Sequence, residues 1–257
     1  MSDQNQSDDL QPQVDGPNSN DDESAKRPRG VYLLPNLFTT GALFSGFYAV
    51  IAGMNGHFEA AAIAIFVAMV FDGLDGRVAR MTNTQSKFGA EYDSLSDMVS
   101  FGVAPALVAF TWSLNEAGKW GWLAAFIYCA CAALRLARFN TQIGSMDKRF
   151  FMGLPSPAAA ATVAGLIWWA DVEGWSPEGA AGLIALYVAI IGLLMVSNVL
   201  YHSGKEFNLK GRISFPKMII VVLVAGFIST EPQLWLWLIL LGYTVSGPIL
   251  WLKRKAS

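Results

Sequence analysis

The chain has 257 residues, of which 53% are hydrophobic and only 15% charged, with a mean hydropathy of +0.38. A soluble domain carries about 25% charged residues, and here the apolar residues come in blocks near bilayer length, so a polytopic membrane protein is indicated and an ordinary globular one excluded. The net charge of −2 hides two populations: residues 1–30 hold seven acids against three bases, and the rest hold 15 bases against 13 acids.

Residues 1–29 are rich in Asp, Asn, Gln, Ser and Pro, with almost no large apolar side chains. They cannot bury enough surface to offset ordering entropy and are expected to be a disordered cytoplasmic tail. No charged start runs straight into an apolar stretch, so they do not read as a signal peptide. From Val31 onward, apolar blocks alternate with short polar breaks. The expected helices span roughly 33–53, 58–81, 90–113, 120–139, 155–171, 178–200, 216–229 and 233–252. The seventh is short for a bilayer that needs about 20 residues, and a re-entrant hairpin with the eighth is the alternative. The expected fold is therefore all-α: a polytopic membrane bundle of about eight transmembrane helices, forming one domain over residues 30–257. Cys129 and Cys131, two apart on one helix, point away from each other and are expected to pack in the core.

The bases set the orientation. Seventeen of the 18 Lys and Arg fall on one side of these eight spans, and only Lys119 falls on the other. The positive-inside rule puts the 17-base side, with both termini, in the cytoplasm, and the membrane is expected to be the cell (inner) membrane. Eight of the nine Trp (112, 120, 122, 168, 169, 175, 235 and 237) lie near the opposite boundary, as interfacial aromatics do.

One stretch breaks the hydropathy logic. Residues 70–105 contain Asp72, Asp75, Asp93 and Asp97 together with Arg77, Arg80, Lys87 and Glu91. Asp72 and Asp75 are three apart and Asp93 and Asp97 four apart, so each pair shares a helix face. The link at 81–88 is short and polar, which makes the two helices antiparallel neighbours and lets the pairs face one another. Four carboxylates converging there would repel and resist ionisation. One or two divalent cations with oxygen ligands, Mg²⁺, Mn²⁺ or Ca²⁺, remove the conflict. Gly76 and Gly89 sit four residues from Asp72 and Asp93 and leave room for a bulky anion. Arg80, one turn beyond Asp75, can pair with a phosphate. Four solvated helix ends are the simpler alternative, but they would need neither this spacing nor the interleaved small residues.

Asp72-x2-Asp75-Gly76-x2-Ala79-Arg80, eight residues, then Gly89-x3-Asp93-x3-Asp97 resembles the signature of the CDP-alcohol phosphotransferases. The resemblance implies an integral membrane enzyme that moves a phosphoryl-linked group from a CDP-linked donor to an alcohol and releases CMP. It implies that the four Asp hold two divalent ions, Mg²⁺ or Mn²⁺, that Gly76, Ala79, Arg80 and Gly89 line the nucleotide site, and that Asp97 is the general base. No His-x-Lys pattern of the phosphohistidine-forming enzymes surrounds His202, so direct displacement is favoured over a covalent intermediate.

Residues 34–50, 88–106, 134–140 and 151–160 are further similar to the membrane-embedded phosphatidylserine synthases. That likeness implies CDP-diacylglycerol and L-serine as substrates, with membrane lipids around them. Nucleic acid is not an expected partner, and a homodimer is left open. Asn36 and Thr39, three apart at the start of the first helix, can contact the nucleotide or simply cap the helix after Pro35. Arg135, Arg138 and Asn140 can bind the acceptor carboxylate or a donor phosphate, or the arginines can serve only as topology anchors. The rival readings are the same family with another acceptor (glycerol 3-phosphate, inositol phosphate or choline) and, more remotely, a cation transporter. A transporter would place its site near the midplane, often within an inverted repeat, and no repeat is visible.

Overall fold

A computed structural model describes residues 30–141, 150–202 and 215–256. The acidic tail and the bases at 148, 149, 205, 210 and 212 lie outside the described residues. Nine α-helices are described: α1 (Gly30–Met54), α2 (Phe58–Thr82), α3 (Lys87–Asp97), α4 (Ala104–Trp112), α5 (Lys119–Thr141), α6 (Ser156–Val172), α7 (Ala181–Val196), α8 (Phe215–Ile228) and α9 (Pro232–Ala256). A π-helical turn, Met98–Val103, joins α3 to α4, so the described helices form eight rods close to the expected spans.

Among the described residues, four rods are long and apolar enough to cross a membrane: Leu34–Met54, Lys87–Trp112, Lys119–Thr141 and Pro232–Lys253. The other expected spans fall short for separate reasons. The 25-residue α2 carries Glu59, Asp72, Asp75, Arg77 and Arg80. The helices α6, α7 and α8 have 17, 16 and 14 residues. At about 1.5 Å per residue, α8 reaches only about 21 Å. The side chains from Met218 to Ala225 are all exposed, as are Leu37, Phe44, Phe47, Leu183 and Leu193 elsewhere in the bundle. So much outward-facing apolar surface suits lipid as solvent, not water.

The all-α expectation needs one correction. Helix α7 ends at Val196, not at 200, because Ser197 turns extended and its hydroxyl bonds back to the Leu194 carbonyl. The chain then forms β2 (Leu200–His202), antiparallel to β1 (Phe150–Met152). Gly153 ends β1 at φ +79°, and a Cβ there would lie 2.1 Å from the Met195 carbonyl oxygen. Only glycine fits that approach. The fully buried Tyr201 ties the ribbon to α9 through a 2.9 Å bond to the Thr244 carbonyl.

Small residues bring the helices together, as is usual inside membranes. Buried Ala42, Ala49 and Ala52 lie on α1, and Ala61, Ala62, Ala64 and Ala68 on the adjoining α2. A Cβ on Gly46 would meet the Ser100 backbone at 2.7 Å, so α1 and the π-turn are nearly in backbone contact. Pro105 lacks the N–H that would bond the Phe101 carbonyl, and the Tyr128 hydroxyl of α5 donates to that carbonyl instead at 3.1 Å. Cys131 is buried and Cys129 half-buried, both reduced.

Candidate active site

The turn between α2 and α3 is fixed by its own residues. Asn83 ends α2 in the left-handed conformation, and its N–H returns to the Ala79 and Arg80 carbonyls. Ser86 begins α3 by accepting the Gly89 N–H at 2.9 Å. Two hydroxyls seat α3 and the π-turn on α1: Ser96 donates to the Thr39 carbonyl at 3.1 Å and Ser100 to that of Ala42 at 3.0 Å. These contacts hold the Asp-bearing faces of α2 and α3 together.

Asp72, Asp75 and Asp93 each offer a carboxylate oxygen within 4.8 Å of the others. Asp97 is in side-chain hydrogen-bonding range of Asp72, and Asp93 of Asp75. The donor set fits a hard divalent cation: all ligands are oxygens, and Asp93 Oδ1 is buried with no hydrogen-bond partner. Thr39 Oγ1 holds Asp75 Oδ2 at 2.8 Å, which leaves its other oxygen for a ligand.

A cleft of about 170 Å³ opens beside the cluster and is lined by Asn36, Thr39, Asp75, Gly76, Ala79, Arg80, Gly89 and Asp93. All six residues expected to meet the nucleotide are thus on one wall system. Thr84, Gln85 and Ser86 from the turn, with Pro35 and Ala90, complete it, and none of these was among the expected site residues. The polarity of the three turn residues between two helices was the available signal. Gly89 sits close to the turn: a Cβ there would come within 3.1 Å of Ser86 Oγ, a tight fit against the capping hydroxyl, and 3.5 Å of Asn36 Oδ1, an ordinary contact.

The three acceptor candidates separate. Arg135 is buried and donates to Ser156 Oγ at 2.6 Å, near Asp97 and Asp72. Arg138 instead clamps the end of α7, donating to the Val196 carbonyl at 3.0 Å and to Asn198 Oδ1 at 2.5 Å. Asn140 is tied to Ser94 Oγ at 2.9 Å.

Residues 32–203 match the family model described as CDP-alcohol phosphatidyltransferase, which spans the carboxylate cluster and its cleft. This chain belongs to that family. A CDP-diacylglycerol–serine O-phosphatidyltransferase of Helicobacter pylori is 35% identical over 224 residues, covering 86% of this chain and 92% of the relative. One so named from Mycobacterium tuberculosis is 32% identical over 244 residues, covering 86% and 81%. Another, from Methanocaldococcus jannaschii, is 44% identical over 138 residues, 53% of this chain and 61% of the relative. Together with the membrane-length helices and the Asp cluster, this makes the chain a membrane-associated member of the CDP-alcohol phosphatidyltransferase family with a candidate divalent metal site.

Proposed function

We propose that this protein transfers the phosphatidyl group of CDP-diacylglycerol to the hydroxyl of L-serine, giving phosphatidylserine and CMP. The observation that carries the reading is the Asp72–Asp75–Asp93 cluster opening onto the Arg80 cleft. Relatives bearing that activity in their names, similar over most of the chain, support it. The four Asp are assigned to divalent metal, two ions of Mg²⁺ or Mn²⁺. Such ions, when bound, offset the charge of the diphosphate and of departing CMP.

The rest of the chemistry belongs to the protein. Asn36, Thr39, Gly76, Ala79 and Gly89 give the cytidine diphosphate a close-fitting cleft, and Arg80 neutralises one phosphate from its rim. Asp97 accepts the proton of the serine hydroxyl. The serine oxygen forms its bond to the lipid-linked phosphorus as the bond from that phosphorus to the CMP oxygen breaks. A single displacement needs no phosphorylated side chain. The domain is residues 30–257, crossing the cell (inner) membrane eight times with the site and both termini cytoplasmic; the asymmetry of the bases supports this. Membrane lipids surround it, and a self-associated dimer is compatible with its exposed apolar faces.

Purified protein given CDP-diacylglycerol, Mg²⁺ or Mn²⁺ and a panel of alcohols tests the reading. Phosphatidylserine should form with serine. A different lipid, formed from glycerol 3-phosphate, inositol phosphate or choline and not from serine, would overturn the acceptor. No release of CMP with any alcohol would overturn the activity.

A further inference from the structure

Helices α5 and α7 pack tightly at one level and leave a space at another. A Cβ on Gly192 would lie 2.8 Å from the Tyr128 Cα, so the two backbones are nearly in contact there. Nearer the start of α7 the seam opens. A Cβ on Gly182 would meet nothing within 4 Å, and Gly182 lines a groove of about 730 Å³ that runs between the two helices. Leu123, Ala124, Ile127, Ala185 and Ala189 form its walls. The groove lies at the end of the bundle opposite the carboxylate cluster, which faces the far end of α5. Its rim is charged. Glu116, on the 3-10 turn Leu114–Ala117, lines the groove, and Glu178 adjoins Gly179, which lines it too. The Lys119 ammonium stands 5.6 Å from the ring centre of Trp120, another lining residue. Two acids and one base thus border an apolar groove at the level where tryptophans mark the lipid interface.

We propose that this groove seats an acyl chain of a phospholipid from the leaflet farther from the cluster, one whose head group carries a primary ammonium, as phosphatidylethanolamine does. The walls are small aliphatic side chains, and they gain dispersion contacts only when something apolar fills the space between them. Lipid chains are the apolar molecules present at that depth. Charge sets the head group. Glu116 can accept hydrogen bonds from an ammonium while Lys119 meets the phosphate. An anionic head group without a cation of its own would face two acids and one base. A choline head group would offer Glu116 no N–H to accept. The seated chain packs on both helices and extends their contact beyond Gly192 and Tyr128.

The test titrates detergent-purified, lipid-stripped protein with dioleoyl phosphatidylethanolamine, phosphatidylglycerol and phosphatidylcholine, and counts bound lipid by native mass spectrometry. Wild type should hold phosphatidylethanolamine roughly tenfold more tightly than either of the others, as one added charge-assisted hydrogen bond would give. Gly182→Phe fills the groove from an open position and should lose that lipid while still binding CMP, the check on folding. Glu116→Gln should keep a bound lipid but compress the preference among head groups. Equal retention by wild type and Gly182→Phe, or a preference for phosphatidylglycerol, would overturn the proposal. So would a wild-type dimer that Gly182→Phe dissociates, because a second copy would then cover the groove. If Gly182→Phe fails to bind CMP, the other two proteins decide: equal affinity of wild type for the three lipids, or a preference that Glu116→Gln leaves intact, overturns it.

Discussion

Replacing Thr39 with Val removes one hydroxyl and leaves the side chain nearly the same shape. Thr39 and Asp75 are 3% and 6% exposed, so the 2.8 Å bond between them is poorly screened by water. A hydrogen bond to a charged group in such a place contributes about 1.5–3 kcal/mol. What is lost is orientation: Asp75 Oδ2 is released, and the carboxylate can turn away from Asp72 and Asp93. Outer contacts of this kind tune metal affinity by about 10–100-fold. Thr39→Val should therefore shift the Mg²⁺ or Mn²⁺ concentration for half-maximal activity upward by about that factor, with turnover recovering at high metal. Metal titrations of CMP release at saturating donor and acceptor measure it. Unchanged metal dependence with a raised donor KM would refute the reasoning and leave Thr39 only its place in the nucleotide cleft.

Other outcomes follow from the same geometry. Exhaustive chelation should abolish activity, and Mg²⁺ or Mn²⁺ should restore it; full activity in metal-free protein would remove the Asp cluster from its role. Asp97→Asn keeps shape and one ligating oxygen but loses basicity, so CMP release should fall about 10²–10⁴-fold, with donor binding weakened less than in Asp72→Asn. A chiral phosphorothioate donor should react with inversion at phosphorus, and retention would require two displacements. Tyr128→Phe strips the Phe101 carbonyl of its donor and should cost about 1–3 kcal/mol of stability, read from thermal unfolding in detergent. A single cysteine at 84–86 should be labelled only from the cytoplasmic side, and one at 173–176 only from the opposite side.

The sequence by itself determined most of the helical frame and the chemistry of the cluster. Eight apolar blocks, the three- and four-residue Asp spacings and the small residues between them are local patterns, and helical periodicity translates such patterns directly into faces. Gly76, Arg80 and Gly89 were legible with the Asp for the same reason, and Ala79 only through the family resemblance. Tertiary structure decided whatever depended on residues far apart in the chain. The end of α7 was missed because Val199 and Leu200 resume the apolar run after the two polar residues Ser197 and Asn198; β1, α9 and the Arg138 clamp show that the chain there is strand. The Phe101 carbonyl within the π-turn takes its hydrogen bond from Tyr128, 27 positions away. Arg135, Arg138 and Asn140 looked alike as polar residues at one helix end. Their partners, Ser156, Val196 with Asn198, and Ser94, lie on three different elements. A side chain's type and helical phase are written in its neighbourhood along the chain, but the hydrogen bonds left to it are set by what the fold brings alongside.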